Sequence, residues 1–319
     1  MRRLLSLGLL LGCSSSDPVV PVDAGAEAAS DAAEVSVPTC KRGPKETAIP
    51  ATCAGLSCDR AFDSVTFAMT HNAMSNQDEG YAAPNQHHGI ARQLADGVQG
   101  LMLDVHYYDE ETGATGARRD DLPVLSQLYL CHANCRLGRR PLVEGLCDVT
   151  GHLDAHRGEI VSIVFESHVR DADLVQGLEA AGLAGYAYTH PGGAWPKLGA
   201  LVTADTRAVL FVESGGGSPA YLHAAWKHIQ DTPYTYAKAS EFTCALNRGK
   251  RSNPLFLINH WVQDPLANPA RAAEVNGEAV LLGRAKACAA EVGRPPNFLG
   301  VDFYDLGDAV KVAKTLSGG

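Results

Sequence analysis

Two histidines close short apolar runs: His71 follows Thr66-Phe67-Ala68-Met69-Thr70, and His132 follows Leu128-Tyr129-Leu130-Cys131. A pair of imidazoles with near-neutral pKa can divide acid–base work, one taking a proton from an attacking oxygen and the other giving one to a leaving oxygen. That division suits cleavage of a phosphodiester, whose developing charge also needs a cation, either Arg or Lys or a divalent metal. Asn72, Asp104 and Glu166 offer the hard oxygens that Ca²⁺ or Mg²⁺ prefers. Asp302 can orient His71 as a carboxylate orients a catalytic imidazole, and reads equally well as a buried structural acid. His106, two residues beyond Asp104 on the same strand face, can point into the same site.

Seven β-rich runs carry these residues: Ser64–Thr70, Leu101–His106, Leu128–Cys131, Ile160–Phe165, Ala208–Val212, Leu255–Ile258 and Phe298–Phe303. An eighth is expected near Gly185–Thr189. Helical patterns lie between them. Asn85 can cap a helix through Ile90 and Leu94 to Gly97, Pro141 can open one ending at Gly158, and a third runs from Ala172 to Gly182. Strands that are apolar almost throughout and separated by helices imply a parallel sheet covered by helices. The expected fold is therefore α/β, a single (β/α)8-type (TIM) barrel with room for irregularity, its core spanning about residues 60–305. In such a barrel chemistry gathers at the carboxyl ends of strands, which is where His71, Asn72, Asp104, His106, His132, Glu166, Asn259, His260 and Asp302 all fall. One such residue alone is usually structural; the same end of six strands points to a convergent site. His87, His88, His152, His156, His223 and His228 read as surface or satisfied groups, His168 as a weak candidate, and Gly215-Gly216-Gly217 as a strand-to-helix turn.

Residues 1–12 follow secretory order, with Arg2 and Arg3 before an apolar run too short to span a bilayer. Leu10-Leu11-Gly12-Cys13 has the form of a bacterial lipoprotein box, which makes Cys13 the lipidated first mature residue; an ordinary secretory signal is the plainer alternative. Residues 13–39 carry Asp17, Asp23, Glu27, Asp31 and Glu34 without Lys or Arg, and read as a disordered acidic linker. Those acids supply much of the formal charge of −9, and nothing points to nucleic acid. Residues 40–319 make the single folded domain, expected to be monomeric and exported, either membrane-anchored or secreted. Its eight cysteines behind an export signal point to disulfides: Cys244 with Cys288, and a local bridge among Cys131, Cys135 and Cys147.

The segments Thr66–Asn72, Asn85-Gln86, Gln93-Leu94, Gly97–Asp104, Leu130–His132, Glu159–Glu166, Trp195–Gly199, Asn247–Gly249 and Pro296–Tyr304 together resemble the X-domain of phosphatidylinositol-specific phospholipases C. The resemblance is closest to the plant and bacterial phospholipase C-like phosphodiesterases and covers nearly all of residues 60–305. It implies that His71 takes the proton from the attacking inositol hydroxyl and that His132 protonates the leaving alcohol. It also implies that Asn72 and Glu166 stand at metal-ligand positions, with Ca²⁺ the first candidate and Mg²⁺ the second. The second strand departs from the pattern. Metal-dependent relatives carry an acid-x-acid pair where this chain has Met102 and Asp104, so one ligand of the set is missing.

The reading that follows is an exported phosphodiesterase acting on a phosphatidylinositol-like lipid or head group, anchored at a membrane surface through Cys13. A glycerophosphodiesterase or sphingomyelinase D-like metal enzyme is the second reading, which Met102 opposes. The third is a surface lipoprotein that keeps the barrel and only binds; it has no need of an acid–base pair.

Overall fold

The computed structural model describes Cys40 and residues 43–318; the leader, Cys13 and the acidic linker lie outside the described residues. Two short strands, β1 (Thr52–Cys53) and β2 (Leu56–Ser57), form a small antiparallel ladder of their own. The main sheet is built from β3 (Phe67–Thr70), β4 (Gly100–Tyr107), β5 (Leu128–Leu130), β6 (Arg140–Pro141), β7 (Val161–Ser167), β8 (Ala208–Val212), β9 (Leu222–Ala224), β10 (Ile229–Asp231), β11 (Leu255–Asn259) and β12 (Phe298–Val301). Eight of these run in parallel, in the order β10-β11-β12-β3-β4-β7-β8-β9. Among the described residues no ladder joins β9 to β10, so the sheet curls into a TIM-type barrel that is open at one seam.

The helices are α1 (Ile90–Ala95), α2 (Leu142–Ala155), α3 (Asp171–Ala180), α4 (Leu198–Ala204), α5 (Ala225–His228), α6 (Pro269–Val275), α7 (Glu278–Val292) and α8 (Ala309–Leu316). They follow from the apolar alternation of the strands. On β4, Leu101, Leu103 and Val105 belong to the outer core shared with α1, α2 and α8, whereas Met102 belongs to the barrel interior with Phe67, Met69, Val164 and Phe211. Strands buried on both faces are what a barrel wall requires. Phe62 and Trp195, their rings stacked 5.1 Å apart, pack beside Phe67 and Phe298 at the lower end of the interior. The upper end, at the strands' carboxyl termini, is left to polar residues.

Two expected staves are not staves. The run ending at Cys131 forms β5, which pairs antiparallel with the far end of β4 and with β6, outside the parallel order. It lies only some twenty residues beyond β4, with a short 3₁₀ turn and no helix between, which suits a hairpin rather than a crossover. Residues 185–189 hold the end of a 3₁₀ turn and a single bridge from Ala187 to Ala208. The missing staves are β9 and β10, of three residues each. Disulfides join Cys244 to Cys288 and Cys131 to Cys135 as expected, but Cys147 pairs with Cys40, and Cys53 with Cys58.

Candidate active site

Among the described residues, every residue of the expected site except His106, Asn259 and His260 reaches the open mouth of the barrel or its immediate support. His71 leaves the end of β3 with its ring stacked on Trp261, centroids 3.8 Å apart and planes 4° from parallel. Its Nδ1 donates to Asp302 Oδ1 at 2.8 Å, and Asp302 also accepts from Asn85 Nδ2 at 3.1 Å. That leaves Nε2 of His71 as the nitrogen free for chemistry. Asp302 is thus placed where it can orient His71.

His132 hangs from the loop after β5, inside the bridge between Cys131 and Cys135. Its Nδ1 lies 3.0 Å from Asp104 Oδ2 and 3.0 Å from Asn72 Nδ2. A ring nitrogen carries either a hydrogen or a lone pair, so Asp104 is the partner of a protonated Nδ1 and Asn72 of a bare one. The hydrogen bond to Asp104 raises the His132 pKa above its ordinary value against the opposing pull of desolvation, with the negative charges of Asp104 and Glu166 adding to the rise. The Asp104 contact thus favours the imidazolium form of His132. Burial in turn lifts the Asp104 carboxyl, and Glu166 adds repulsion, while His132 pulls the other way.

The backbone marks the same positions. Asn72, Ala133 and Phe303, each directly after His71, His132 and Asp302, have φ of 46°, 57° and 44°. Left-handed backbone costs a non-glycine residue roughly 1–2 kcal/mol. Such strain concentrates where the surroundings must aim a functional side chain. Here it turns the chain sharply off each strand end and leaves the preceding side chain pointing across the mouth.

A hollow of about 260 Å³ lies between these groups, its wall including His71, Asn72, Asp104, Glu166, Glu213 and Arg248. Asp104 and Glu166 are register partners on β4 and β7, side by side at the same height. Glu213, one residue past β8, is half-buried and pushed up to about 7, chiefly by desolvation, with Glu166, Asp231 and Asp104 adding repulsion against the pull of Arg248. Arg248 donates to Glu213 Oε2 at 2.8 Å and to Asp231 Oδ2 at 2.6 and 2.9 Å. Its guanidinium lies 3.9 Å from the Trp226 ring and 4.8 Å from that of Tyr234. The loop can bring Arg248 there because Gly249 follows it: at φ +78° it passes so close that a Cβ would lie 2.1 Å from Ile229 O.

Three expected site-lining residues are placed elsewhere. Asn259 is fully buried and donates to Asp231 Oδ2 and Thr232 O, so it braces the acid that holds Arg248. His260 is fully buried beneath the mouth, bonded to Val275 O and Arg284, because the residue after Asn259 on the strand turns to the opposite face. His106 lines a neighbouring hollow instead, stacked on His168 at 4.2 Å. Glu213, Arg248, Asp231 and Trp261 were missed as site residues. Glu213 ends an apolar run just as Glu166 does, and Arg248 lies in the Asn247-Arg248-Gly249 segment of the resemblance, so a signal existed for both.

The donors around the hollow suit a hard cation in kind: Asn72, Asp104 and Glu166 on one side, Glu213 on the other. Met102 presents a thioether, a poor ligand for such a cation, in the same wall. Among the described residues no three His, Cys, Asp or Glu side chains yet converge on one point as ligands.

Comparison with known proteins now decides the family. The model of the PI-PLC X family matches residues 57–317. The chain belongs to the PI-PLC X family. A PI-PLC X domain-containing protein of Arabidopsis thaliana is 26% identical over 306 residues, covering 88% of this chain and 66% of its own length. An uncharacterized secreted protein of Arthroderma benhamiae is 24% identical over 280 residues, with 79% of this chain and 59% of its own length covered. This chain thus spans less than two thirds of either relative. Among solved structures, a phosphatidylinositol-specific phospholipase C of Listeria monocytogenes superposes with a TM-score of 0.50 at 13% identity, covering 83% of this chain and 96% of that one. A Staphylococcus aureus structure of the same enzyme type gives a TM-score of 0.55 at 12% identity, with the same coverages. These structures share the TIM-like fold found here.

Proposed function

We propose that this PI-PLC X family member is a phosphodiesterase that breaks a phosphatidylinositol-like phosphodiester by two-histidine acid–base catalysis. The observation that carries the reading is the pairing of each histidine with its own buried carboxylate: His71 with Asp302 and His132 with Asp104. His71 Nε2 takes the proton of a substrate hydroxyl, whose oxygen bonds to phosphorus. His132 gives its Nε2 proton to the departing alkoxide as the P–O bond breaks. The stack on Trp261 and the bond to Asp302 fix the ring of His71 in the plane needed for the first transfer.

Asn72, Asp104 and Glu166, with Glu213 opposite, are the residues that would hold a divalent cation, Ca²⁺ before Mg²⁺. Bound there, the cation would offset negative charge on the phosphoryl oxygens. The wall supports it: Asp104 and Glu166 stand side by side, and the one guanidinium, that of Arg248, is already engaged by Glu213 and Asp231. The glycerophosphodiesterase-like reading asks for an acid where Met102 lines the hollow, which tells against it. A lipid anchor at Cys13 would keep the exported domain at a membrane surface, close to a lipid substrate.

Release of water-soluble inositol phosphate from phosphatidylinositol vesicles tests the reading. Activity is expected to fall by at least about 10³-fold in His71→Ala and to vanish with chelator. Turnover that survives His71→Ala sinks the mechanism, and turnover untouched by chelator removes the cation.

A further inference from the structure

Beside the catalytic hollow lies a second, of about 610 Å³, bounded by His106, Thr115, Ala133, Asn134, Arg136 and His168. His168 lines both hollows, so they are neighbouring lobes that meet at its ring. Ala133 and Asn134 directly follow His132, so the second lobe opens on the side of the residue that protonates the leaving oxygen. The attacking side, with His71, Trp261 and Arg248, lies in the first lobe.

The chemistry of the two lobes is opposite. The first has three carboxylates against one guanidinium, whereas no carboxylate lines the second. Arg136 donates to the carbonyl oxygens of Gly113 and Thr112 at 2.8 and 2.7 Å, neutral acceptors that leave its charge in place. Arg119, Arg139 and Arg140 nearby are each ion-paired; among the described residues Arg136 is not. His106, only 6% exposed, has its Nε2 buried without a hydrogen-bond partner. No large apolar side chain lines the lobe, so an acyl chain would find no wall to bury against.

We propose that this lobe is a subsite for an oxyanion, a phosphate or carboxylate carried on the leaving-alcohol side of the scissile bond, with Arg136 as its charge partner. The direction assigned to it rests on the reading of His132 given above; the anion site itself does not. The oxyanion belongs either to the leaving alcohol of a small soluble diester or to the phosphate of a lipid headgroup at a membrane surface.

Inorganic phosphate titrated into the intact protein, followed by NMR of the histidine rings, tests the site without turnover. Saturable shifts are expected at His106 and His168 and are lost in Arg136→Gln, while Arg136→Lys restores them and so separates charge from loop integrity. Toward a soluble diester whose leaving alcohol is phosphorylated, Arg136→Gln should raise KM about tenfold with kcat kept, and leave an uncharged leaving alcohol unaffected. Vesicles of phosphatidylglycerol against phosphatidylcholine report the other source: selective loss of binding to the former in Arg136→Gln assigns the oxyanion to a headgroup. Unshifted His106 at saturating phosphate, or equal behaviour of wild type and Arg136→Gln in every arm, overturns the subsite. Phosphate binding in a protein inert to every diester keeps the subsite and sinks the catalytic reading instead.

Discussion

Glu213 sits at the mouth in an environment far from its free chemistry. Its carboxyl, pushed up to about 7 by burial, keeps its proton in the folded state at a pH where the unfolded chain, near 4.5, has released it. Folding then holds more protons than unfolding, so this group's share of stability falls as pH rises from about 4.5 to 7 and is flat beyond. Glu213→Gln removes that slope while Arg248 keeps Asp231. In the presence of chelator the variant should gain roughly 1–3 kcal/mol at pH 7.5 and nothing at pH 4.5, read from urea midpoints. Equal midpoints at the two values would show that the carboxyl is not perturbed. At the same scale, Asp302→Asn leaves the ring of His71 in place but takes away its anionic partner. A loss of about 10³ in kcat with KM little changed is expected, and a loss confined to KM would make Asp302 a mere packing residue.

Among the elements, β5 carries the largest functional consequence for its size. It is three residues long, antiparallel, and ends at a five-residue disulfide loop that holds His132. Closing so short a loop restrains little of the unfolded chain, so the bridge contributes less to global stability than long-range ones such as Cys40–Cys147. Its effect should fall on the position of His132. Cys131→Ser/Cys135→Ser is expected to keep the thermal midpoint within a few degrees and lose at least about tenfold in kcat; a large drop in midpoint with kcat unchanged would reverse that assignment. This element also shows where the sequence was legible. The apolar runs of β3, β4, β7, β8, β11 and β12 are visible because a wall buried on both faces must be apolar throughout. β9 and β10 are three residues each and carry His223, Gln230 and Asp231, so neither length nor composition distinguishes them from loop. Leu128–Cys131 has the same apolar texture as a stave, and only its partner and direction reveal otherwise. His71, Asn72, Asp104, His132 and Asp302 were legible because strand ends bear function. Arg248 stands at no strand end: it lies seventeen residues past Asp231, which it meets, arrives through Gly249, and was signalled only by the Asn247-Arg248-Gly249 segment of the resemblance.

For the whole molecule, titration of the interior sets the acid limit of the fold. Burial lowers His106, His152 and His228 to about 4 and His260 to about 3, aided by neighbouring positive or imidazole groups. The unfolded chain protonates these rings below about 6.5, whereas the folded one refuses until about 4. Unfolding therefore takes up protons in that window, and stability present above pH 6.5 is lost as pH falls toward 4. Glu213 works in the opposite sense, gaining stability as pH falls from 7, but it is one group against four. Near pH 5 the balance of these five groups is an uptake of roughly three protons on unfolding, enough to make the midpoint fall steeply with acidity. His132 does not offset this, because its raised pKa leaves it charged in both states at pH 5. Thermal midpoints measured with chelator between pH 7.5 and 4.5 should change little above pH 7 and decline with increasing steepness below it. Replacing the most deeply buried ring, His260→Asn, should make the decline shallower even while it lowers the midpoint at pH 7 through lost contacts to Val275 and Arg284. A wild-type midpoint unchanged down to pH 5 would mean that these rings accept protons within the fold, and that the interior around the seam and beneath the mouth is open to water.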